Sequence, residues 1–182
     1  MKREGSLKMF SDMKQFLSSD VCLSCEGCCR FDKEKSDWRP KVGASEERSM
    51  IANLAPAEKI GSRALVEKGG YLTDKLCHGM YMCTFFNPDD STCGVYHHRP
   101  FECRLYPFVL TRVEQKPVVC VHLPCPYVQK KKGTLEYDQY VLYLKDYFKK
   151  TEVHSLLKEN PHLFGDYLGY EADLELVFDV VL

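Results

Sequence analysis

The sequence predicts an α+β chain in which helices surround short β-ribbons and cysteine loops, rather than one large sheet, organise the interior. Three observations carry this. Four of the ten cysteines crowd into the run Cys22, Cys25, Cys28 and Cys29, in the pattern CxxCxxCC. The other six, from Cys77 to Cys125, are strewn through a segment rich in aromatic, β-branched and turn-forming residues. Beyond them Tyr137, Tyr140, Val141, Leu144, Tyr147 and Phe148 recur at the spacing of an amphipathic helix.

The elements follow in order. Phe10, Met13, Phe16 and Leu17 share one helical face, so a short helix is expected to lead into the first cysteine group. Residues 45–54 and 56–68 read as two further helices, the second opening on Pro56 and stopped by Gly69-Gly70. Residues 80–86 are expected to form a strand and 87–91 a turn. Residues 108–113 should pair with 118–122 across 114–117 as a hairpin. The Tyr-rich helix is expected to run on toward Leu157, within a helical segment of about 135–160, and the alternation from Leu174 to Val180 gives a final strand at about 173–181.

With 182 residues and no linker-like composition break, one domain over 1–182 is the expectation, its cysteine-bearing core at about 22–126. The 25 basic and 26 acidic residues leave a net charge of -1, which provides no field for nucleic acid or anionic lipid. No stretch approaches the length of a membrane span, and residues 1–20 lack the apolar run of a secretory signal, so a cytoplasmic location is expected. A reducing compartment disfavours structural disulfides, which leaves metal binding as the economical use of ten cysteines.

Thiolates at i, i+3 and i+6 with a glycine between them can turn their sulfurs toward one point, as a loop must to wrap a soft metal or an iron–sulfur cluster. A second group follows: Cys83-Thr-Phe-Phe, then Cys93-Gly-Val-Tyr-His-His-Arg99-Pro100-Phe-Glu-Cys103-Arg104-Leu-Tyr106-Pro107-Phe108, and later Cys125-Pro126. Taken together these residues resemble the YkgJ-like cysteine-cluster family, the CxxCxxCC proteins described as zinc- or iron-chelating domains. Its pattern continues with C-x-F-L, here with Phe86 at the last position, then C-x-[IV]-Y-x-x-R-P-x-x-C-R-x-[YF]-P-F and a late C-P. The resemblance covers about Cys22 to Pro126 and leaves the C-terminal third outside.

Carried over residue by residue, the resemblance implies eight metal ligands: Cys22, Cys25, Cys28, Cys29, Cys83, Cys93, Cys103 and Cys125. Cys77 and Cys120 fall outside it, and the valines around Cys120 favour a core role there. Eight thiolates match two four-thiolate centres. The run Cys22, Cys25, Cys28 has ferredoxin-like spacing, with Cys125-Pro126 as its remote ligand. Adjacent Cys28 and Cys29 are expected to project apart, assigning Cys29 to a second centre with Cys83, Cys93 and Cys103. An iron–sulfur cluster, 4Fe-4S first, is favoured over Zn²⁺, although thiolate softness and ligand count allow both.

Such a centre carries net negative charge, and Arg99 and Arg104 are placed beside Cys103 to offset it; the competing reading pairs them with Glu102. Tyr96 and Tyr106 are expected to pack around the site, with a sulfur as one possible acceptor for the Tyr106 hydroxyl. His97 and His98 are not needed as ligands beside a full set of thiols.

No phosphate-binding loop, dinucleotide fingerprint, nucleophile elbow or HExxH is present, so whether the chain is an enzyme stays open. Three classes remain. The first is an electron-transfer or redox-sensing cluster protein with a redox or protein partner. The second is a zinc-stapled interaction module. The third is a cluster-dependent modifying enzyme, since the flagellin lysine N-methylases share a similar cysteine cluster.

Overall fold

The computed structural model describes residues 13–25, 27–53, 65–167 and 169–182. Its described residues contain six α-helices and three small antiparallel sheets, the α+β class expected from the sequence. Their contacts fall into two compact units, Ser18–Arg104 and Leu105–Leu182, the latter also taking in Gln15–Leu17.

In the first unit, helix α1 (Ser19–Leu23) is followed by strand β1 (Arg30–Phe31) and helix α2 (Ala44–Asn53). Strands β2 (Asp74–Cys77) and β3 (Met80–Cys83) form a hairpin, and β1 pairs with the free side of β3, giving the sheet order β1-β3-β2. A two-stranded ribbon, β4 (Phe86–Asn87) and β5 (Thr92–Cys93), comes next, closed by a turn over 88–91; of the turn expected over 87–91, Asn87 belongs to the strand. The strand expected over 80–86 is thus interrupted at Thr84-Phe85, where the chain leaves one ribbon for the next. A single 3-10 turn (Tyr96–His98) leads into the short helix α3 (Phe101–Leu105). Phe31, Val42, Met50, Leu72, Met82, Cys83, Phe86 and Val95 form the small apolar core of this unit.

Helix α2 starts where its sequence allows. Gly43 precedes it, Glu46 and Glu47 lie in its first turn, and the Glu46 carboxylate reaches back to the Gly43 N–H at 2.9 Å, the carboxylate half of a capping box. The helix expected over 56–68 lies outside the described residues up to 64. Its described end is not helical, since Val66 bridges Leu72. Of the first expected helix, Phe10 lies outside the described residues, and 13–18 are irregular; α1 begins only at Ser19 and carries Cys22 itself.

In the second unit, β6 (Phe108–Val113) and β7 (Lys116–His122) form the expected hairpin. Its tight turn, Glu114-Gln115, has both residues at positive φ (48° and 67°). Strand β8 (Leu174–Asp179) completes the sheet on the other side of β7. Helix α4 (Pro126–Lys131) opens on a first-turn proline after Cys125.

The Tyr-rich segment is two helices, α5 (Leu135–Phe148) and α6 (Thr151–Glu159), not one running to Leu157. The apolar face explains the break. After Tyr147 and Phe148 the next buried residue of the face is Val153, and the intervening one-turn positions are Thr151 and Glu152, so a continuous helix would turn polar residues inward. The backbone becomes extended at Lys150, and His154 Nε2 donates to the freed Phe148 carbonyl at 2.6 Å. Tyr137, Tyr140 and Phe108 pack edge and face around Phe16, forming the aromatic core of this unit.

Candidate metal centre

The CxxCxxCC run is folded by its own backbone. Cys22 sits on α1, its N–H bonded to the Ser18 carbonyl, and the Cys25 N–H returns to the Cys22 carbonyl. Gly27 then lets the chain pass close to a sulfur: its N–H donates to Cys25 Sγ at 3.4 Å, and a Cβ there would stand 3.3 Å from that atom. The Arg30 N–H closes the turn on the Gly27 carbonyl, after which β1 begins.

The sheet brings the second cysteine group to the first. Pairing Arg30 with Met82 sets Cys29 beside Cys83, whose N–H bonds to the Cys29 carbonyl at 2.9 Å. Cys93 lies across the ribbon from Phe86, and Cys29 and Cys93 both pack against the apolar core that includes Cys83. Cys103 is carried by α3.

All ten cysteines are free thiols. Seven of them, Cys22, Cys25, Cys28, Cys29, Cys83, Cys93 and Cys103, are linked in the first unit by pairwise electrostatic interactions, Cys29 with five of the others and Cys25 with Cys22. Cys28 and Cys29 act on each other: the neighbouring thiol, with burial, raises Cys28, and the neighbouring thiol, with the Arg99 and Arg30 guanidiniums, lowers Cys29. Burial pushes Cys83 up to about 12, Cys93 to about 11 and Cys103 well above the ordinary thiol, and it lifts Cys22 despite the opposing Arg99 charge.

Among the described residues no three His, Cys, Asp or Glu side chains stand at metal-binding geometry. A soft cation that displaces thiol protons would draw sulfurs onto one point. The chemistry of the donor set, all sulfur with guanidiniums and amide N–H groups against it, fits such a centre.

The two arginines play different parts. Arg99, 7% exposed, donates from Nη1 to Cys22 Sγ at 3.4 Å and from Nε to the Tyr96 carbonyl, with its guanidinium 3.7 Å above the centre of the Tyr96 ring. Arg104 donates to the carbonyls of Arg99 (2.9 Å) and His97 (2.6 Å), so these bonds hold the loop that presents Arg99. Glu102 is no partner of either in these bonds: it accepts the Lys41 N–H, and Lys41 Nζ stands 4.0 Å from its other oxygen. His97 and His98 are exposed. The Tyr106 hydroxyl meets His122 Nδ1 at 3.0 Å.

Cys125 and Cys120 lie in the second unit. Cys125, 3% exposed, is the residue before α4, and Cys120 is buried on β7 between Val119 and Val121. Cys77, at the end of β2, packs against the core of the first unit.

A family model described as "CxxCxxCC: Putative zinc- or iron-chelating domain" matches residues 21–121. The chain belongs to this family. Its CxxCxxCC domain is a cysteine cluster of the zinc- or iron-chelating kind, and the matched span contains all seven gathered thiols and ends before Cys125. No curated protein and no solved structure matches the chain. Among the described residues no helix is long and apolar enough to cross a membrane.

Sequence reasoning missed Arg30, which acts on Cys29, and Glu46, whose second carboxylate oxygen accepts the Phe101 N–H at 2.6 Å. The capping-box position announces half of the Glu46 role. The other half spans 55 residues and has no local signal.

Proposed function

We propose that the cysteine group of the first unit holds an iron–sulfur centre, 4Fe-4S in type, that carries electrons to a protein partner or senses redox state. The observation that carries this is the gathering of seven thiols with N–H donors on two sulfurs, Arg99 on Cys22 and the Gly27 amide on Cys25. Hydrogen bonds to sulfur and nearby positive charge are the means by which a protein sets the potential of such a cluster. The ferredoxin-like spacing of Cys22, Cys25 and Cys28 supports the same reading. The cluster, when bound, supplies one-electron chemistry; the chain orients the sulfurs, shields them and offsets their charge.

A second reading has its own observation. The β-strands of the first unit are two to four residues long around a small apolar core, a construction that calls for a staple, and Zn²⁺ on the same thiols would provide one. Iron, zinc and acid-labile sulfide content with an absorption spectrum, on protein purified without oxygen, separates the two. Iron and sulfide in comparable amounts, with a visible band bleached by reductant, support the cluster. Zinc without sulfide refutes it and leaves the stapled module.

A further inference from the structure

Among the buried polar groups of the first unit is the Glu46 carboxylate, 5% exposed. Its Oε2 accepts the Gly43 N–H at 2.9 Å, and its Oε1 accepts the Phe101 N–H at 2.6 Å. Gly43 immediately precedes α2 and Phe101 is the first residue of α3, so one carboxylate closes the starts of two helices far apart in sequence. The second of these helices, α3, has five residues and carries Cys103 at its centre. A helix this short does not sustain itself, because fixing its first turn costs more than its few internal hydrogen bonds return. Its position is therefore decided by what grips its ends and sides. Glu102 supplies a second tie between the same segments through the Lys41 N–H and the Lys41 ammonium, and Phe101 is fully buried.

We infer that Glu46 is the positioning residue for Cys103: by holding the Phe101 N–H and the start of α2 together, it sets where the Cys103 sulfur stands relative to the other thiols. The inference rests on the metal-centre reading for its importance, but its geometry concerns the chain alone. A glutamine at 46 has one acceptor oxygen in place of two. It must leave the Gly43 or the Phe101 N–H facing an amide group that cannot accept, and α3 is the element with less to hold it.

The test is site-resolved thiol alkylation followed by mass spectrometry, on the full chain, both as purified and after chelator treatment. Glu46→Gln is compared with wild type, with Glu47→Gln, and with Met50→Ala, which loosens α2 through its buried side while leaving the Glu46 carboxylate in place. The expected result is a selective rise of about tenfold in Cys103 labelling in Glu46→Gln, with Cys22 and Cys25 near their wild-type rates. Chelator competition should show metal held about tenfold more weakly, the scale of losses when groups that orient ligands are removed. Glu46→Asp keeps two acceptor oxygens on a shorter arm and should restore part of the selectivity; it carries the comparison if Glu46→Gln does not fold. A uniform rise across all seven thiols, the same pattern in Met50→Ala, or unchanged Cys103 labelling overturns the inference. A wild-type protein that holds no metal overturns the metal-centre reading instead, and leaves the labelling comparison standing.

Discussion

At the scale of single residues, the site is governed by what stands against each sulfur. Arg99 is held on three sides, by the Tyr96 ring, the Tyr96 carbonyl and Cys22 Sγ, so its charge is fixed in place. Replacing it by glutamine removes a cation that favours the more negative, reduced state of a thiolate-bound cluster. Arg99→Gln should lower the reduction potential, read by spectroelectrochemistry, and an unchanged potential would remove Arg99 from the site. The buried acids make a second prediction. Burial raises both Glu46 and Glu102 to about 7, against the N–H bonds that both accept. A carboxyl held more basic in the folded than in the unfolded chain stabilises the fold below the unfolded value, near 4.5, and that stability is lost as pH climbs from there to about 7. Each such group contributes on the order of 1.4 kcal/mol per pH unit across that window. His122 in the second unit, lowered by burial, acts in the opposite sense. The urea midpoint of the first-unit transition in metal-free protein should therefore fall between pH 5 and 7, and Glu46→Gln should flatten the slope.

Among the elements, the ribbons of the first unit act as spacers between thiols. Pairing of β1 with β3 puts Cys29 against Cys83, β5 presents Cys93, and α3 brings up Cys103. Cys25→Ser and Cys103→Ser should each lose bound metal, because a hydroxyl is a harder and weaker donor to a soft centre than a thiolate. Cys120→Ser, in the β7 core of the second unit, should keep the metal while costing about 1–3 kcal/mol of stability for a buried hydroxyl. Metal analysis beside thermal melts reads both effects. Equal metal content in the wild type and either of the first two variants would break the assignment.

For the chain as a whole, the two units differ in what holds them. The second has a three-stranded sheet with fully buried Phe108, Leu110, Val119 and Val121, together with two helices that bury tyrosines and leucines. The first has short ribbons, a small core and seven thiols that repel once ionised. Metal binding and folding are then one equilibrium in the first unit. With free metal about 100-fold above Kd, the bound centre adds about 2.7 kcal/mol, so stripping it should drop the first-unit transition by roughly 10–20 °C. Hydrogen exchange should show protection lost at β1–β3 while β6 and β7 keep theirs. Uniform loss would show instead that the metal stabilises both units alike.

The sequence by itself pointed to a cysteine cluster of the zinc- or iron-chelating kind and to the β6–β7 hairpin, the tyrosine-rich helix and the final strand. Cysteine spacing is a local property, and so are the hairpin of β6 and β7, the helical period of the tyrosines up to Phe148 and the extended chain of β8, each of which the structure forms close to where the sequence points. Only the tertiary structure decided how the thiols meet. The Cys29 carbonyl meets the Cys83 N–H because β1 pairs with β3, and Arg104 serves the loop because the His97 and Arg99 carbonyls come within its reach. The break between α5 and α6 is visible in the spacing only once the buried face is known, and the reach of Glu46 to Phe101 joins segments that share no local pattern. Periodicity and spacing act through neighbours along the chain, whereas hydrogen bonds and charge act through space, and the fold alone sets which distant groups come within a few ångströms.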